Sequence, residues 1–260
     1  MISLIFNKVF YEPLLNGLAW LIGILPFHDV GIAVIILTII VRLIIFPFTH
    51  NATVTQVKMK HLEPELKKIK EKFKNNNQEQ TKKTMELYKK HGINPVFGLL
   101  ALFVQIPILF ALYKVFLAGG GFDITHLYSF ISVPDFINTK FLGLIEMSQK
   151  SYILAILASI STFIQMRLAM PPIKKSSGGT NSFKDNLAKS MSIQMRYIMP
   201  LFVFYIALKF SSALALYWTT MNIFAIVHET IVRKRAGKIF KENGNQSANT
   251  NNQIASGDNS

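Results

Sequence analysis

Long apolar runs, separated by short polar segments, dominate this chain. A helix rises about 1.5 Å per residue and the hydrocarbon core of a bilayer is about 30 Å thick, so about 20 apolar residues can cross it. The runs are near that length or slightly below it. The pattern therefore predicts an all-α polytopic membrane protein with five transmembrane helices: Gly31–Phe48, Val96–Leu117, Ser151–Ala169, Tyr197–Phe210 and Ala213–Val232.

The first 28 residues show a different pattern. Lys8, Glu12 and Asn16 recur at every fourth position, which places three polar side chains on one face of a helix. A proline and a glycine within the segment weaken it as a continuous span. We expect residues 1–28 to form an amphipathic helix that lies in the outer interface. A sixth transmembrane helix is the alternative.

A polar insertion separates the first two runs. The pattern predicts a helical hairpin over residues 52–91, with a turn at Asn75–Asn77 and a second helix over Gln78–Lys90. The second helix offers few large apolar side chains, so we expect a thin contact and a mobile hairpin. The first helix carries one apolar stripe at 4-3-4 spacing, formed by Leu62, Leu66, Ile69 and Phe73.

The charge distribution predicts the orientation. The net charge is +14, and 22 of the 28 lysines and arginines fall into three segments: 11 in 49–95, 6 in 167–196 and 5 in 233–241. Five spans place all three segments on one side. By the positive-inside rule that side is the cytosol, so the N-terminus lies outside and the C-terminus inside. Residues 233–260 are predicted to form a cytosolic tail, basic at first and disordered from Gly244 onward.

Arg42 interrupts the first apolar run. An arginine at the centre of a membrane helix costs about 2.5–3.5 kcal/mol on insertion scales. Its guanidinium could snorkel to the nearest headgroups, although helical side chains lean toward the N-terminus and thus away from the cytosolic exit. Alternatively, Arg42 faces a hydrated cavity within the membrane. Thr38 and Thr49 would extend a thin polar stripe on the same face.

The spans show no pattern typical of an enzyme. They contain no paired carboxylates, no His-Glu-x-x-His and no Gly-x-Ser-x-Gly motif, and we predict no cofactor and no metal. The chain has no cysteine, which excludes disulfides and thiolate chemistry. His228 and Glu229 are expected at the cytosolic interface. Isolated polar residues either hold the bundle together or line a groove with Arg42: Gln105, Ser161, Thr162, Gln165, Trp218 and Asn222.

Several motifs resemble the YidC/Oxa/Alb family of membrane protein insertases. They occur in the family's order and cover nearly the whole chain. One departure is Ser211-Ser212-Ala213, where the family has Pro-Ser-Gly, and another is that no large external domain precedes the core. The matching motifs are Tyr11-Glu-Pro-Leu-Leu-Asn16, Ile39-Ile-Val-Arg-Leu-Ile-Ile-Phe-Pro47, Gln56-Val-Lys-Met-Lys60 with Leu62-x-Pro64, Gly92-Ile-Asn-Pro95, Gln105-Ile-Pro-Ile-Leu-Phe-Ala-Leu-Tyr113, and Leu214-Ala-Leu-Tyr-Trp218 with Asn222.

The resemblance implies a function and a set of residues. It implies an insertase that needs no cofactor, with a groove open to cytosol and lipid but closed outside. Arg42 would receive polar client segments, and Gln105, Gln165 and Trp218 fall at groove-lining positions. The 52–91 hairpin would recruit clients and targeting partners. Its candidate residues are Lys58, Lys60, Lys67 and Lys68.

The resemblance also implies partners and a location. The partners would be nascent membrane proteins and the lipid bilayer, with the SecYEG channel, the signal recognition particle system and the ribosome as further candidates; DNA is not expected. The location would be the bacterial cytoplasmic (inner) membrane. A small transporter or channel subunit is the alternative function, and buried acids or inverted repeats would favour it.

Overall fold

The computed structural model describes residues 2–74, 76–94, 96–117, 124–169 and 193–257. The described chain is mostly helical, which confirms the predicted all-α class at that level. The elements are α1 (Ile2–Phe6), a π-helical turn (Asn7–Tyr11), α2 (Glu12–Ile24), α3 (Val30–Ile44), α4 (Phe46–His61), α5 (Glu63–Lys72), α6 (Asn77–Lys90), α7 (Val96–Leu117), β1 (Lys140–Phe141), β2 (Ile145–Glu146), α8 (Tyr152–Ala169), a second π-helical turn (Gln194–Ile198), α9 (Met199–Ala207) and α10 (Ser212–Gly257), with short 3₁₀ turns at Pro26–His28 and Ile124–His126.

The helices differ in how well they could cross a membrane. Among the described residues, α8 alone is a single helix long and apolar enough to do so, and the bent pair α3–α4 passes if it counts as one span. A shorter apolar stretch, Phe103–Phe116, lies within α7. The number of five spans therefore stays a prediction. The loop predicted between the third and fourth spans falls at 170–192, outside the described residues.

A sharp bend divides the first predicted span. α3 ends at Ile44, and α4 leaves it at 70°. Pro47 has no N–H, so the helical bond that its nitrogen would donate to the Leu43 carbonyl cannot form. The prediction of one helix over Gly31–Phe48 is therefore wrong. Thr49 lies on α4, beyond the bend, and does not continue the Arg42 face of α3; its hydroxyl bonds the carbonyl of Phe46 at 3.1 Å.

The loop before α8 covers one end of the helix bundle, here called the loop end. Asp29 caps α3 by accepting from the Ile32 amide at 3.0 Å, and its second oxygen accepts from the Leu142 amide at 2.9 Å. Asn138 exchanges backbone bonds with His28 and Val30. The antiparallel strands β1 and β2 form a small hairpin, and Leu142 lies in its turn. No sequence pattern predicted this small hairpin, because strands of two residues carry no detectable alternation.

The β1–β2 hairpin packs closely against α3. A Cβ added to Gly31 would lie 2.3 Å from the ring of Phe141, so only glycine leaves room for that ring. The hairpin therefore closes directly over the start of α3.

The N-terminal segment packs against α3 and α7, and two of the three residues of its polar stripe are covered while Lys8 is exposed. Glu12 and Asn16 are buried. The Asn16 amide donates to the His126 carbonyl at 2.9 Å and accepts from the Tyr128 amide at 2.7 Å, which ties the segment to the loop end. Lys8 donates to Glu12 at 3.0 Å and, with His126, holds the pKa of that carboxyl below its ordinary value. The spacing of the three polar residues does not show which side of a helix the rest of the chain covers, and the position of this segment in the outer interface stays a prediction.

The turn between α9 and α10 ends at a buried serine. Ser212 is fully buried, and its amide and its hydroxyl each donate to the Gln149 carbonyl at 2.7 Å. Ala213 donates its amide to the Met147 carbonyl at 3.1 Å. These contacts fix the start of α10 against the loop end. The serine common to both sequences forms them, so the missing proline and glycine of the family motif are not needed for this turn.

The polar insertion forms the predicted hairpin of α5 and α6. The Asn76 side chain caps α6 by accepting from the Glu79 amide at 3.1 Å. Gly92, with φ of 61°, ends that helix. The contact is small, as expected: Leu62, Leu87 and Ile93 are buried, with Met59, Leu66, Ile69 and Tyr88 packed against them. The end of the bundle that carries this hairpin is called the hairpin end below.

The last helix is longer than predicted. α10 continues through the basic segment and ends at Gly257. The sequence predicted disorder from Gly244 onward, whereas the structure is helical up to Gly257. No proline follows Pro200 in the sequence, so no residue sterically interrupts the helix.

Large apolar side chains cover the outside of the bundle. In a water-soluble protein a surface of this extent would be an aggregation liability, whereas in lipid it is the expected exterior. The exposed residues include Ile39, Leu43 and Ile44 of α3, Phe103 and Phe110 of α7, Ile153, Ile156 and Ile160 of α8, Leu201, Phe202 and Tyr205 of α9, and Ile223, Val227 and Ile231 of α10.

Candidate client groove

Arg42 lies half-buried near the end of α3, beside α7 and α10. Tyr217 of α10 is buried and lies within the electrostatic influence of the guanidinium. Gln105 of α7 donates its amide to the Tyr217 hydroxyl at 2.8 Å. No carboxylate among the described residues acts on Arg42. Three helices thus bring a positive charge, an amide and a phenol together in an otherwise apolar bundle.

Tyr217 was not predicted as a site residue. A tyrosine inside an apolar run needs a partner for its hydroxyl when buried. That requirement was the available signal, and the partner on α7 lies 112 positions away in the chain.

Thr38 does not extend the polar surface of Arg42. It is buried, and its hydroxyl donates to the Val34 carbonyl at 2.6 Å, one turn back in the same helix. A threonine in a helix interior can satisfy its own hydroxyl in this way without any partner on another helix. The polar spacing on α3 therefore did not identify a groove-facing residue at this position.

Three of the predicted site residues form an interhelical contact instead. Asn222 of α10 donates to the hydroxyls of Ser161 at 3.1 Å and of Thr162 at 2.8 Å. All three are buried. Both hydroxyls also donate to the Ala158 carbonyl of their own helix, so each of them has a partner on two sides. This cluster holds α8 against α10, which is the first of the two roles considered for these residues.

Gln165 and Trp218 are both half-buried. They lie on α8 and α10, the two helices that the Asn222 contact joins. Their assignment to the groove stays a prediction.

Two histidines meet at the hairpin end of the Arg42 site. The Nδ1 of His50 on α4 lies 3.0 Å from the Nε2 of His228 on α10. The ring of Phe46 packs beside both imidazoles, with centroids 5.4 and 4.9 Å away. The sequence predicted an interfacial position for His228 but gave no signal of a partner 178 positions earlier.

Glu229 faces away from its neighbour His228. It is buried and accepts from two guanidinium nitrogens of Arg233, at 2.7 and 3.0 Å. Adjacent residues of a helix point about 100° apart, so the two side chains cannot act as one dyad. Lys60 and Arg196 approach the same carboxylate region, and burial together with the Arg233 charge holds the pKa of Lys60 below its ordinary value.

The four candidate lysines of the hairpin occupy different settings. Lys58 and Lys60 are half-buried on α4, near the bundle, whereas Lys67 and Lys68 are exposed on α5. Lys67 pairs with Glu71 at 3.8 Å. Lys67 and Lys68 are therefore accessible to a binding partner, whereas Lys58 and Lys60 are partly covered by the chain.

The described residues offer no cluster of three or more histidine or acidic side chains that could hold a metal ion.

Comparison with known proteins places this chain in a family. A family model described as the 60Kd inner membrane protein matches residues 22–239. A relative from Fusobacterium nucleatum, named membrane protein insertase YidC, is 33% identical over 236 residues, which cover 90% of this chain and 98% of that protein. A relative from Bacillus anthracis, named membrane protein insertase YidC 2, is 30% identical over 244 residues, or 92% and 86% of the two chains.

The chain belongs to the YidC family of membrane protein insertases. Relatives of the YidC family differ in length. One from Wolinella succinogenes is 31% identical over 229 residues, which cover 88% of this chain but 38% of that protein. The YidC assignment confirms the family resemblance and does not favour the alternative of a small transporter or channel. It also agrees with a bacterial inner-membrane location.

Proposed function

We propose that this chain inserts membrane proteins by receiving their polar segments at Arg42. The observation that carries the proposal is the half-buried guanidinium beside Tyr217 and Gln105, in a member of an insertase family. A polar N-tail or loop of a client meets its largest barrier when it enters hydrocarbon. A positively charged, hydrated groove partway across the membrane lowers that barrier.

The groove is proposed to open toward cytosol and lipid only. The contacts that support closure at the other side are those of the loop end, where Asp29, Asn138 and Ser212 tie the loop to the starts of α3 and α10. A client segment would enter from the hairpin end and stop near Arg42. Its apolar helix would then leave sideways into lipid, so no continuous pore is required.

The charge of Arg42 is proposed to attract acidic client segments. Charge–charge attraction is stronger in a low-dielectric site than in bulk water. The membrane potential can add about 2.3 kcal/mol per charge per 100 mV for acidic segments that move outward. The snorkelling alternative gives Arg42 no role in insertion.

The test compares Arg42→Ala with the wild type on two matched clients, one with an acidic and one with a neutral translocated tail. We expect the protease-protected fraction of the acidic client to fall most and that of the neutral client least. Folding should survive, because the substitution relieves the cost of holding a charge within the membrane.

Arg42→Lys is the matched control. It keeps the charge but loses the planar fork, so it should retain part of the activity. Insertion of both clients by Arg42→Ala at wild-type levels would refute the groove-charge mechanism and favour snorkelling.

Further partners are proposed from the exposed and basic segments of the chain. The 52–91 hairpin, with Lys67 and Lys68 exposed, is a candidate surface for the signal recognition particle system, and the bundle for SecYEG. The basic segment 233–241 is a candidate for ribosomal RNA, which basic side chains bind by releasing counterions. Contact with anionic lipid is its alternative role.

Neutralising Lys238 and Lys241 distinguishes these two roles. If the segment binds the ribosome, co-sedimentation of the protein with ribosomes should fall, and the difference from the wild type should be largest at low salt, because the variant has fewer phosphate contacts to lose. Co-sedimentation that does not change would leave the lipid role.

A further inference from the structure

His50 and His228 join two helices that the chain sequence keeps far apart. Their ring nitrogens lie 3.0 Å apart, within hydrogen-bond distance. One nitrogen must carry a proton and donate it, and the other must accept. The hydrogen bond can form when both imidazoles are neutral and also when one of them carries a second proton and is cationic. When both are protonated, two N–H groups face each other and the bond cannot exist.

The surroundings do not compensate for a second proton. The charged or titratable groups that act on His228 are His50 from α4 and Arg42 from α3, and both are cationic or become so. Glu229, the next residue of α10, is bonded to Arg233 on another side of the helix. Among the described residues, no carboxylate therefore faces the pair.

The contact lies just beyond the bend between α3 and α4. At the bend the missing Pro47 N–H leaves α3 and α4 without one of their connecting helical bonds. The direction of α4 then depends on what holds it against its neighbours. His50 lies one turn beyond the bend, and its bond to His228 ties this end of α4 to α10 beside Arg42.

We propose that His50 and His228 are positioning residues of the groove, a clamp that keeps its hairpin end narrow and that a second proton releases. Only the effect of the clamp on insertion depends on the proposed function. The clamp itself is a property of the two helices and is measured without a client.

The experiment measures the distance between α4 and α10 in lipid nanodiscs. The chain has no cysteine, so nitroxides can be placed on cysteines that replace the exposed Asn51 and Lys234. Distances are recorded at about pH 7.5 and about pH 4. The lower value lies well below the ordinary histidine pKa of about 6.5, because the second proton has to enter beside one imidazolium and the Arg42 cation. We expect one short distance at the higher pH and a shift to a longer one at the lower pH.

His50→Gln is the decisive variant. A glutamine carbonyl accepts from protonated His228 and its amide donates to the neutral form, so the short distance should remain at both pH values. His91→Gln, at the end of α6 and away from the pair, should shift as the wild type does. The clamp is refuted if the wild type keeps the short distance at both pH values, or if His50→Gln shifts equally.

This readout separates the clamp from the insertase mechanism. Should Arg42→Ala leave client insertion unchanged while the distance still shifts with pH in the wild type and not in His50→Gln, the groove-charge mechanism fails and the clamp stands.

Discussion

Several threonines in the apolar bundle satisfy their hydrogen bonds locally. The hydroxyls of Thr38, Thr219, Thr220 and Thr230 each donate to the carbonyl four residues earlier in the same helix. Because such a residue needs no partner elsewhere, its position in the sequence does not reveal which surface it faces. Arg42 is different, since a guanidinium has five donors and no acceptor and cannot be satisfied by one backbone carbonyl. Its prediction as the central polar residue came from that chemistry.

Substitution of Asn222 tests whether this residue holds two helices together or lines the groove. Asn222→Ala removes two interhelical bonds, each worth about 0.6 kcal/mol in membrane bundles, so thermal unfolding in detergent should show a loss of roughly 1 kcal/mol. Insertion per folded molecule should not change, because the residue joins α8 to α10 and does not contact Arg42.

Two variants serve as controls for that measurement. Thr220→Ala, whose hydroxyl bonds only the Leu216 carbonyl of its own helix, should change stability little. Gln105→Ala, which removes the partner of Tyr217, should lower insertion more than stability. Loss of insertion by folded Asn222→Ala would show that this residue belongs to the groove after all.

At the scale of the helices, local patterns predicted what depends on local chemistry. The α5–α6 hairpin followed from an apolar stripe, an asparagine-rich turn and a terminating glycine. In the structure Leu62, Leu66 and Ile69 of the stripe lie in the hairpin contact, Asn76 caps α6, and Gly92 follows its end. The bend at Ile45 had a signal as well, since Pro47 removes a helical hydrogen bond. An apolar run concealed it, because hydropathy alone cannot distinguish a straight span from a broken one.

Elements that depend on distant partners could not be read from the chain. β1 and β2 exist because Asp29 and Gly31 of α3 receive Leu142 and Phe141. The burial of Glu12 and Asn16 likewise depends on a loop more than a hundred positions later. In both places the helix pattern was correct, and the tertiary contact decided which face is covered.

At the scale of the whole molecule, the bundle has two ends of opposite character. The loop end is tied by backbone and carboxylate bonds, with Asp29 and Ser212 among its fixed points. The hairpin end holds the bend, the histidine pair and the cations around Glu229. A one-sided groove requires this asymmetry, because only one end has to admit a client. Charge counting predicts which end faces the cytosol.

Labelling from one side of the membrane tests this arrangement. Single cysteines can replace Asn76 at the start of α6 and Leu144 in the turn between β1 and β2, and both positions are exposed in a chain with no other cysteine. In intact cells an impermeant thiol reagent should label Leu144→Cys, and it should label Asn76→Cys only after the membrane is opened. The reason is that 22 of 28 basic residues fall in the three sequence segments predicted on the side of the α5–α6 hairpin, and basic segments stay in the cytosol. Each variant should insert a client as the wild type does, which shows that the labelled molecules are folded. If both cysteines label in intact cells, the two ends lie on the same side, and neither the five-span arrangement nor a groove closed at the loop end can hold.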